Sequence, residues 1–488
     1  MIHCLDKIPA GSRLLSEIWL LHYRGFCSKT AVMKRNQSAR MFKTYNLLKT
    51  TGGKAVCLRS SAYMLVPLLI ICLLLTGCAS MPSRIDANSK PTLPASSLSP
   101  LPTTVADTCP ILMVGCLTPH DLRVAYGIDA LVQKGFTGKG QTIIDIVSFG
   151  SPTLQQDMKV FDQTFNLPPI DLQVIAPLTI PEFDPNHDKD RWAEETEMDV
   201  QIMHAIAPEA KIIVLQSPVA ETEGIVGLPQ FRQLEQYVID HQLGNIVSQS
   251  WGSSELTLQD AQGQQELQQW NELLKQGTTQ HHITYFSASG DTGATDYVDD
   301  HTVGNVPTTS FAADSPWVTS VGGTTLQGSG SSFHETGWKN SGGGFSQIYP
   351  MPSYQQLLPR EVQQQFTNRR GVPDVSADAD PNTGLPVYLD GQWSSAGGTS
   401  ASTPIWAAMQ AIANQMAGRP LGFINPGLYK LATSTSYQQD FRDITEGNNS
   451  YQPTNTQGYP AAIGWDAVTG LGTPNAEKLI PDLIAALK

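Results

Sequence analysis

The chain has 488 residues, 40% of them hydrophobic, and a formal net charge of −13, which is enough apolar mass for a large packed core and excludes a disordered chain. The charge is unevenly spread: residues 1–78 hold eleven Lys and Arg against two Asp and Glu, so the remainder carries −22. So acidic a remainder excludes nucleic acid and anionic lipid surfaces as partners, since both need basic patches, and it suits acid solution, where protonated carboxyls stop repelling one another.

In chain order, Leu65 to Leu75 is an apolar run preceded by Lys49, Lys54 and Arg59, too short to span a bilayer comfortably and flanked like a signal peptide. It ends Leu75-Thr76-Gly77-Cys78, which resembles a bacterial lipoprotein box. That resemblance implies lipidation at Cys78, export, and a membrane held through the lipid; a plain signal peptide or a short anchor are the alternatives. Met33, Met41 and Met64 offer alternative starts. Residues 79–116 are rich in Ser, Pro and Thr and read as an extended tether. Cys109 and Cys116 are the only cysteines beyond Cys78, and in an exported chain such a pair is most simply one disulfide, with two free thiols as the alternative. From Leu117 to the end the texture is globular without a second linker, so residues 117–488 read as one domain.

Within it, Gly140 to Val147, Ala210 to Leu215, Asn245 to Ser250, Ile283 to Ala288 and Trp317 to Val321 are apolar strands with helical patterns between several of them. That alternation predicts an α/β fold, a predominantly parallel sheet covered on both faces, with chemistry at the carboxyl ends of the strands. A helix over Glu194 to Ile206 puts Glu195 and Asp199 about 40° apart on one face and Glu197 about 200° away from Glu195. Two carboxyls that close, if partly buried, share a proton and suit a general base and its orienter; a solvated acidic helix start is the bland alternative. Ser250-Trp251-Gly252 closes a buried strand whose backbone could pair with an extended peptide, Trp251 walling a pocket or packing in the core. Asp291 follows Ser289-Gly290 at another strand end, where a protonated acid could donate to an oxyanion or an Asx turn could form. Ser395 to Pro404 is a Gly-rich turn feeding a helical run from Ile405 to Met416. Ser400 there meets unpaired N–H groups and the positive end of the helix dipole, as a nucleophile requires and as a helix cap also would. Asp443-Ile444 and Gly464-Trp465-Asp466 offer oxygen ligands of the kind that suit calcium. None of the ten histidines stands in a His-Gly-x-His context, and His204 lies about 140° around the helix from Asp199, so the base for a serine would be a carboxylate.

Taken together, Glu195-x-x-x-Asp199, Ser250-Trp251-Gly252, Ser289-Gly290-Asp291-x-Gly293, Ser341-Gly342-Gly343-Gly344-Phe345-Ser346, Pro373-Asp374-Val375-Ser376, Gly398-Thr399-Ser400-Ala401-Ser402 and the Asp443 and Asp466 loops resemble the sedolisin family, the serine-carboxyl peptidases, from about Leu117 onward. The resemblance implies a subtilisin-like fold and an acid endopeptidase acting on proteins or peptides, expected as a monomer, with Ser400 as nucleophile, Glu195 as base, Asp199 holding Glu195, and Asp291 as oxyanion-hole acid. A tripeptidyl exopeptidase of the same fold and a silent peptide-binding lipoprotein are the alternatives. It also implies one calcium ion on the carboxylates of Asp443 and Asp466 and the carbonyls of Ile444, Ala462 and Gly464, Ala462 standing where the family usually has Gly. Two departures stand out. Phe311-Ala312-Ala313 replaces the common Phe-Pro-Ala, and Cys78 and Leu117 lie only 39 positions apart, too few for the folded propeptide that relatives usually carry. Maturation without one, an inhibitor and chaperone in trans, and gating by pH alone are the readings left open.

Overall fold

The apolar runs become the strands of a single sheet because each buries both faces, and both faces have helices to cover them. In the computed structural model, which describes residues 109–111 and 115–488 apart from Phe183, Thr222, Asp300 and Ser331, the elements that place the site are α1 (Pro119–Ala125), β1 (Thr142–Ser148), α2 (Leu154–Phe165), β2 (Asp171–Ile175), α3 (Asp188–Ile206), β3 (Lys211–Ser217), α4 (Leu228–His241), β4 (Ile246–Gln249), α5 (Ala261–Gln280), β5 (Thr284–Ala288), β6 (Thr319–Ser329), β7 (Ser332–Gly337), β8 (Val375–Asp378), β9 (Pro386–Leu389), β10 (Gln392–Ser395) and α6 (Thr399–Ala417). The leader with Cys78 and most of the tether lie outside the described residues.

The eight-stranded sheet runs β7-β6-β5-β4-β1-β3-β2, with β8 pairing β6. Every pairing is parallel except β6 with β7. Alternation along β1 shows how both faces are buried. Ile143 and Val147 join a core with Met158 of α2, Val200 of α3 and Ala407 of α6. Ile144 and Ile146 point the other way, into a second core with Phe231 of α4 and Trp270 of α5. Asp145 shares the parity of Ile143 and Val147, so an acid stands on the face covered by α3 and α6.

Two boundaries differ from the sequence reading in ways that matter. Helix α3 starts at Asp188, earlier than Glu194, because Asp184 accepts from the backbone N–H groups of Asp188 (3.1 Å) and Lys189 (2.9 Å), supplying the cap that its first turn needs. Helix α6 starts at Thr399 rather than Ile405 and contains Pro404, so Ser400 lies inside its first turn. Pro404 has no N–H to give to the carbonyl four residues back, and the Ser250 hydroxyl lies 3.4 Å from that Ser400 oxygen in its place. Cys109 and Cys116 are disulfide-bonded, and Gly115–Cys116 pairs in parallel with Thr383–Gly384.

Candidate active site

Three elements converge on Ser400: its own helix α6, the catalytic face of α3, and the loop after β5. Gly398, at φ 106°, caps α6, and a Cβ there would stand 2.3 Å from Asp291 Oδ2. A left-handed residue without a side chain is therefore needed to let the carboxyl lie against the turn. Asp291 Oδ1 accepts from the backbone N–H of Thr399 at 2.7 Å and from its hydroxyl at 2.9 Å. The Thr399 hydroxyl in turn accepts from the N–H of Gly290 at 3.0 Å. Asp291 is thus tied to the residue before Ser400, and the Ser400 backbone N–H has no acceptor among the described residues.

On the other side, the Ser400 hydroxyl lies close enough to the Glu195 carboxyl to favour its ionised form, while Glu195 Oε1 is buried without a hydrogen-bond partner. Burial raises Glu195 to about 8, the nearby Ser400 hydroxyl opposing the shift and the carboxyls of Asp291 and Asp145 adding to it. Asp199 is fully buried, and Ser250 donates to its Oδ1 at 3.0 Å. Burial first, then Asp145 and Glu195, holds Asp199 well above the ordinary carboxyl range.

Asp145, which the sequence reading did not single out, completes the cluster. Its carboxyl lies within hydrogen-bonding range of Asp199, and burial pushes it up to about 8. Neither Asp145 oxygen nor Asp199 Oδ2 has a donor, so a proton must be shared between the two acids. The available signal was a lone acid inside the apolar run Ile143 to Val147. Asp291 is raised as well, burial of its carboxyl outweighing the two bonds from Thr399, although the residue as a whole is solvent-exposed.

The cleft above this cluster has a volume of about 980 Å³ and is lined by Glu195, Trp192, Ser250, Trp251 and Gly252 together with Asp190, Glu221 and Glu223. Trp251 both lines it and packs in the core, 4.7 Å from Phe231 and 5.6 Å from Trp270 between ring centroids. His204 is buried on the far side of α3 against Asp162 at 3.1 Å, out of reach of the serine. A serine facing a buried acid triad, with a fourth acid beside its helix cap, sets this site apart from one built on histidine.

The comparisons with known proteins agree with that geometry. The model of the Subtilase family matches residues 188–429. Kumamolisin of Bacillus sp. (strain MN-32) is 33% identical over 379 residues, 75% of this chain and 63% of kumamolisin. Pseudomonas sedolisin, a serine-carboxyl proteinase solved in complex with two molecules of pseudo-iodotyrostatin, superposes with a TM-score of 0.64 at 26% identity over 77% of this chain and 99% of that one. The chain belongs to the sedolisin family. Tripeptidyl-peptidase 1 of Homo sapiens is 29% identical over 389 residues, 75% of this chain and 64% of that protein, so this sedolisin spans less than two thirds of the curated relatives' length.

The two loops expected to hold a metal lie together at the C-terminal end. Asp443 accepts from the N–H of Gly464 with both oxygens, at 3.1 and 3.0 Å, and Asp466 accepts from the N–H of Ala462 at 2.9 Å. The carbonyls of Ile444, Ala462 and Gly464 accept no backbone hydrogen bond among the described residues. Two carboxylates and three idle carbonyls make an all-oxygen donor set, which fits calcium and not a softer metal. No group of three or more His, Cys, Asp or Glu placed to hold a metal occurs among the described residues.

Proposed function

We propose that the chain is a serine-carboxyl endopeptidase of acid solution, and the observation that carries this reading is the Ser400 hydroxyl set against the buried carboxyl of Glu195 at the start of α6. Ser400 Oγ attacks the scissile carbonyl carbon as Glu195 takes its proton, and Asp291 donates to the oxygen that becomes negative. Collapse of the intermediate breaks the C–N bond, Glu195 returning its proton to the leaving nitrogen. Water then opens the acyl-enzyme by the same relay. Glu195 must be ionised and Asp291 protonated at once, so the rate falls on both sides of a maximum. Asp199 and Asp145 keep their shared proton and accommodate one negative charge on the cluster, while Ser250 fixes Asp199.

The acidic lining of the cleft supports a second reading. Asp190, Glu221 and Glu223 suit the ammonium of a free peptide N-terminus, which would make the enzyme a tripeptidyl exopeptidase. Mass spectrometry of the products of an unfolded protein separates the two: internal cuts with heterogeneous lengths favour the endopeptidase, and tripeptides alone favour the exopeptidase. Ser400→Ala abolishes product under the first reading and the second alike, whereas a silent peptide-binding protein makes none to begin with.

Asp443 and Asp466, with the carbonyls of Ile444, Ala462 and Gly464, would hold calcium, which there supplies positive charge that cross-links two loops. From the sequence before Cys78 we further propose export and a lipid on Cys78. No helix among the described residues is long and apolar enough to cross a membrane, and release of a Cys78→Ala variant from the membrane fraction tests the anchor.

A further inference from the structure

Helix α3 has a second polar face that the proposed reaction does not use. Glu197 is fully buried; its Oε1 accepts from the Ser151 hydroxyl at 2.7 Å and its Oε2 from Gln201 Nε2 at 3.0 Å. Across from it on α2 stands Asp157, 2% exposed, whose carboxyl is within hydrogen-bonding range of Glu197.

Both partners reach a hairpin. Gln201 bonds the backbone of Tyr388 twice, donating to its oxygen at 2.7 Å and accepting from its N–H at 2.9 Å. Asp157 accepts from the N–H of Asp390 at 3.0 Å. The hairpin is β9 and β10, closed by Asp390 and Gly391 at φ 44° and 85°, the left-handed pair of a type I′ turn. Its second strand ends at Ser395, five residues before Ser400. The helix that carries Glu195 and Asp199 therefore also grips, from its opposite face, the strand pair that leads into the serine.

We propose that Glu197 is a positioning residue: through Ser151, Gln201 and the facing Asp157 it joins α3 and α2 to the β9–β10 hairpin and so fixes Ser400 against Glu195. The inference rests on the peptidase reading above. Two facing carboxyls with no cation between them hold together only while they share a proton. Asp157 on α2 is the titratable group facing Glu197; Ser151, Thr153 and Gln201 are neutral. Asp390 on the hairpin and Asp190 on α3 line the adjoining groove, as does Lys189, whose ammonium is held by the carbonyls of Pro181 and Glu182. Burial, with Asp157 adding to it, raises Glu197 to about 8, so the neutral form prevails in acid and fails above neutrality.

The test compares Glu197→Gln, Glu197→Ala and Gln201→Ala in the full-length enzyme, at a temperature well below each melting point. Glu197→Gln is neutral at every pH and should keep kcat within about 3-fold. Glu197→Ala and Gln201→Ala should lower kcat roughly 10- to 100-fold, the effect of a small misplacement of the nucleophile, with KM nearly unchanged. Hydrogen exchange of the hairpin amides supplies the second readout. Protection at Tyr388 and Asp390 should fall between pH 6 and 9 in the wild type, corrected for intrinsic exchange, but not in Glu197→Gln. Wild-type kcat in Gln201→Ala, or identical exchange profiles in wild type and Glu197→Gln, would overturn the proposal. A wild type without Ser400-dependent cleavage would instead overturn the peptidase reading, leaving the exchange comparison to judge Glu197 by itself.

Discussion

Raising the pH should melt this protein from within its own core. Asp145, Glu195, Glu197 and Glu235 are each pushed up to about 8 with burial as the leading cause. A carboxyl whose folded pKa lies above its unfolded one contributes full stability below the unfolded value, near 4, and loses it as pH rises toward 8. At pH 6 each such group has shed ~2 kcal/mol relative to acid, at 1.36 kcal/mol per unit. Four independent groups would shed roughly 8 kcal/mol, a large share of the 5–15 kcal/mol that holds a domain together, and sharing of protons between Asp145, Asp199 and Glu195 makes this an upper figure. At roughly 2 °C per kcal/mol for a chain this long, the melting temperature should drop by about 10 °C or more between pH 4 and 7. The assay is calorimetry of the Ser400→Ala protein, which cannot digest itself. Glu235 isolates one contribution away from the cleft: it accepts from Gln249, and its Oε2 is buried without a partner. Glu235→Gln should raise the melting temperature at pH 8 and leave it unchanged at pH 4. A melting temperature that is flat or rising from pH 4 to 7 would refute the reasoning.

Other expectations follow from single contacts. Gly398→Ala sets a Cβ 2.3 Å from Asp291 Oδ2 on a left-handed backbone, so kcat should fall at least about 100-fold while circular dichroism stays native. Asp145→Asn gives Asp199 a fixed donor in place of a shared proton, and this should move the acid limb of the kcat/KM profile to lower pH; an unmoved limb would detach Asp145 from the relay. Removing calcium with a chelator should lower the melting temperature, and Asp466→Asn should abolish that response, whereas a melting temperature indifferent to chelator and added calcium would argue against the site.

Much of the site was legible because its key pair is local. Glu195 and Asp199 are four residues apart on one helix, and helical geometry alone puts them on one face. The same geometry sent Glu197 elsewhere, but not to Ser151, Asp157 and the β9–β10 hairpin, because those meet it only through the packing of α2 and α3. Asp145 was hidden for a similar reason: its partner Asp199 lies beyond the next helix, and one acid in an apolar strand does not announce which face it takes. The strands could be placed from their apolar runs, yet the start of α6 was set too late. On the sequence alone the turn ends at Pro404 and the helix starts at Ile405, whereas Pro404 lies within the helix and the Ser250 hydroxyl meets the carbonyl that the proline leaves open. Ser250 is expected beside substrate; what the structure adds is that its hydroxyl donates to Asp199.

The most direct test of the proposed chemistry is cleavage of an unstructured protein by the full-length enzyme across pH 2 to 8, beside Ser400→Ala. Cleavage with a maximum on the acid side of neutrality, lost in Ser400→Ala, is the expected result. Cleavage that survives the substitution, or that rises without limit above neutral pH, would contradict a Ser400 nucleophile served by Glu195 and a protonated Asp291.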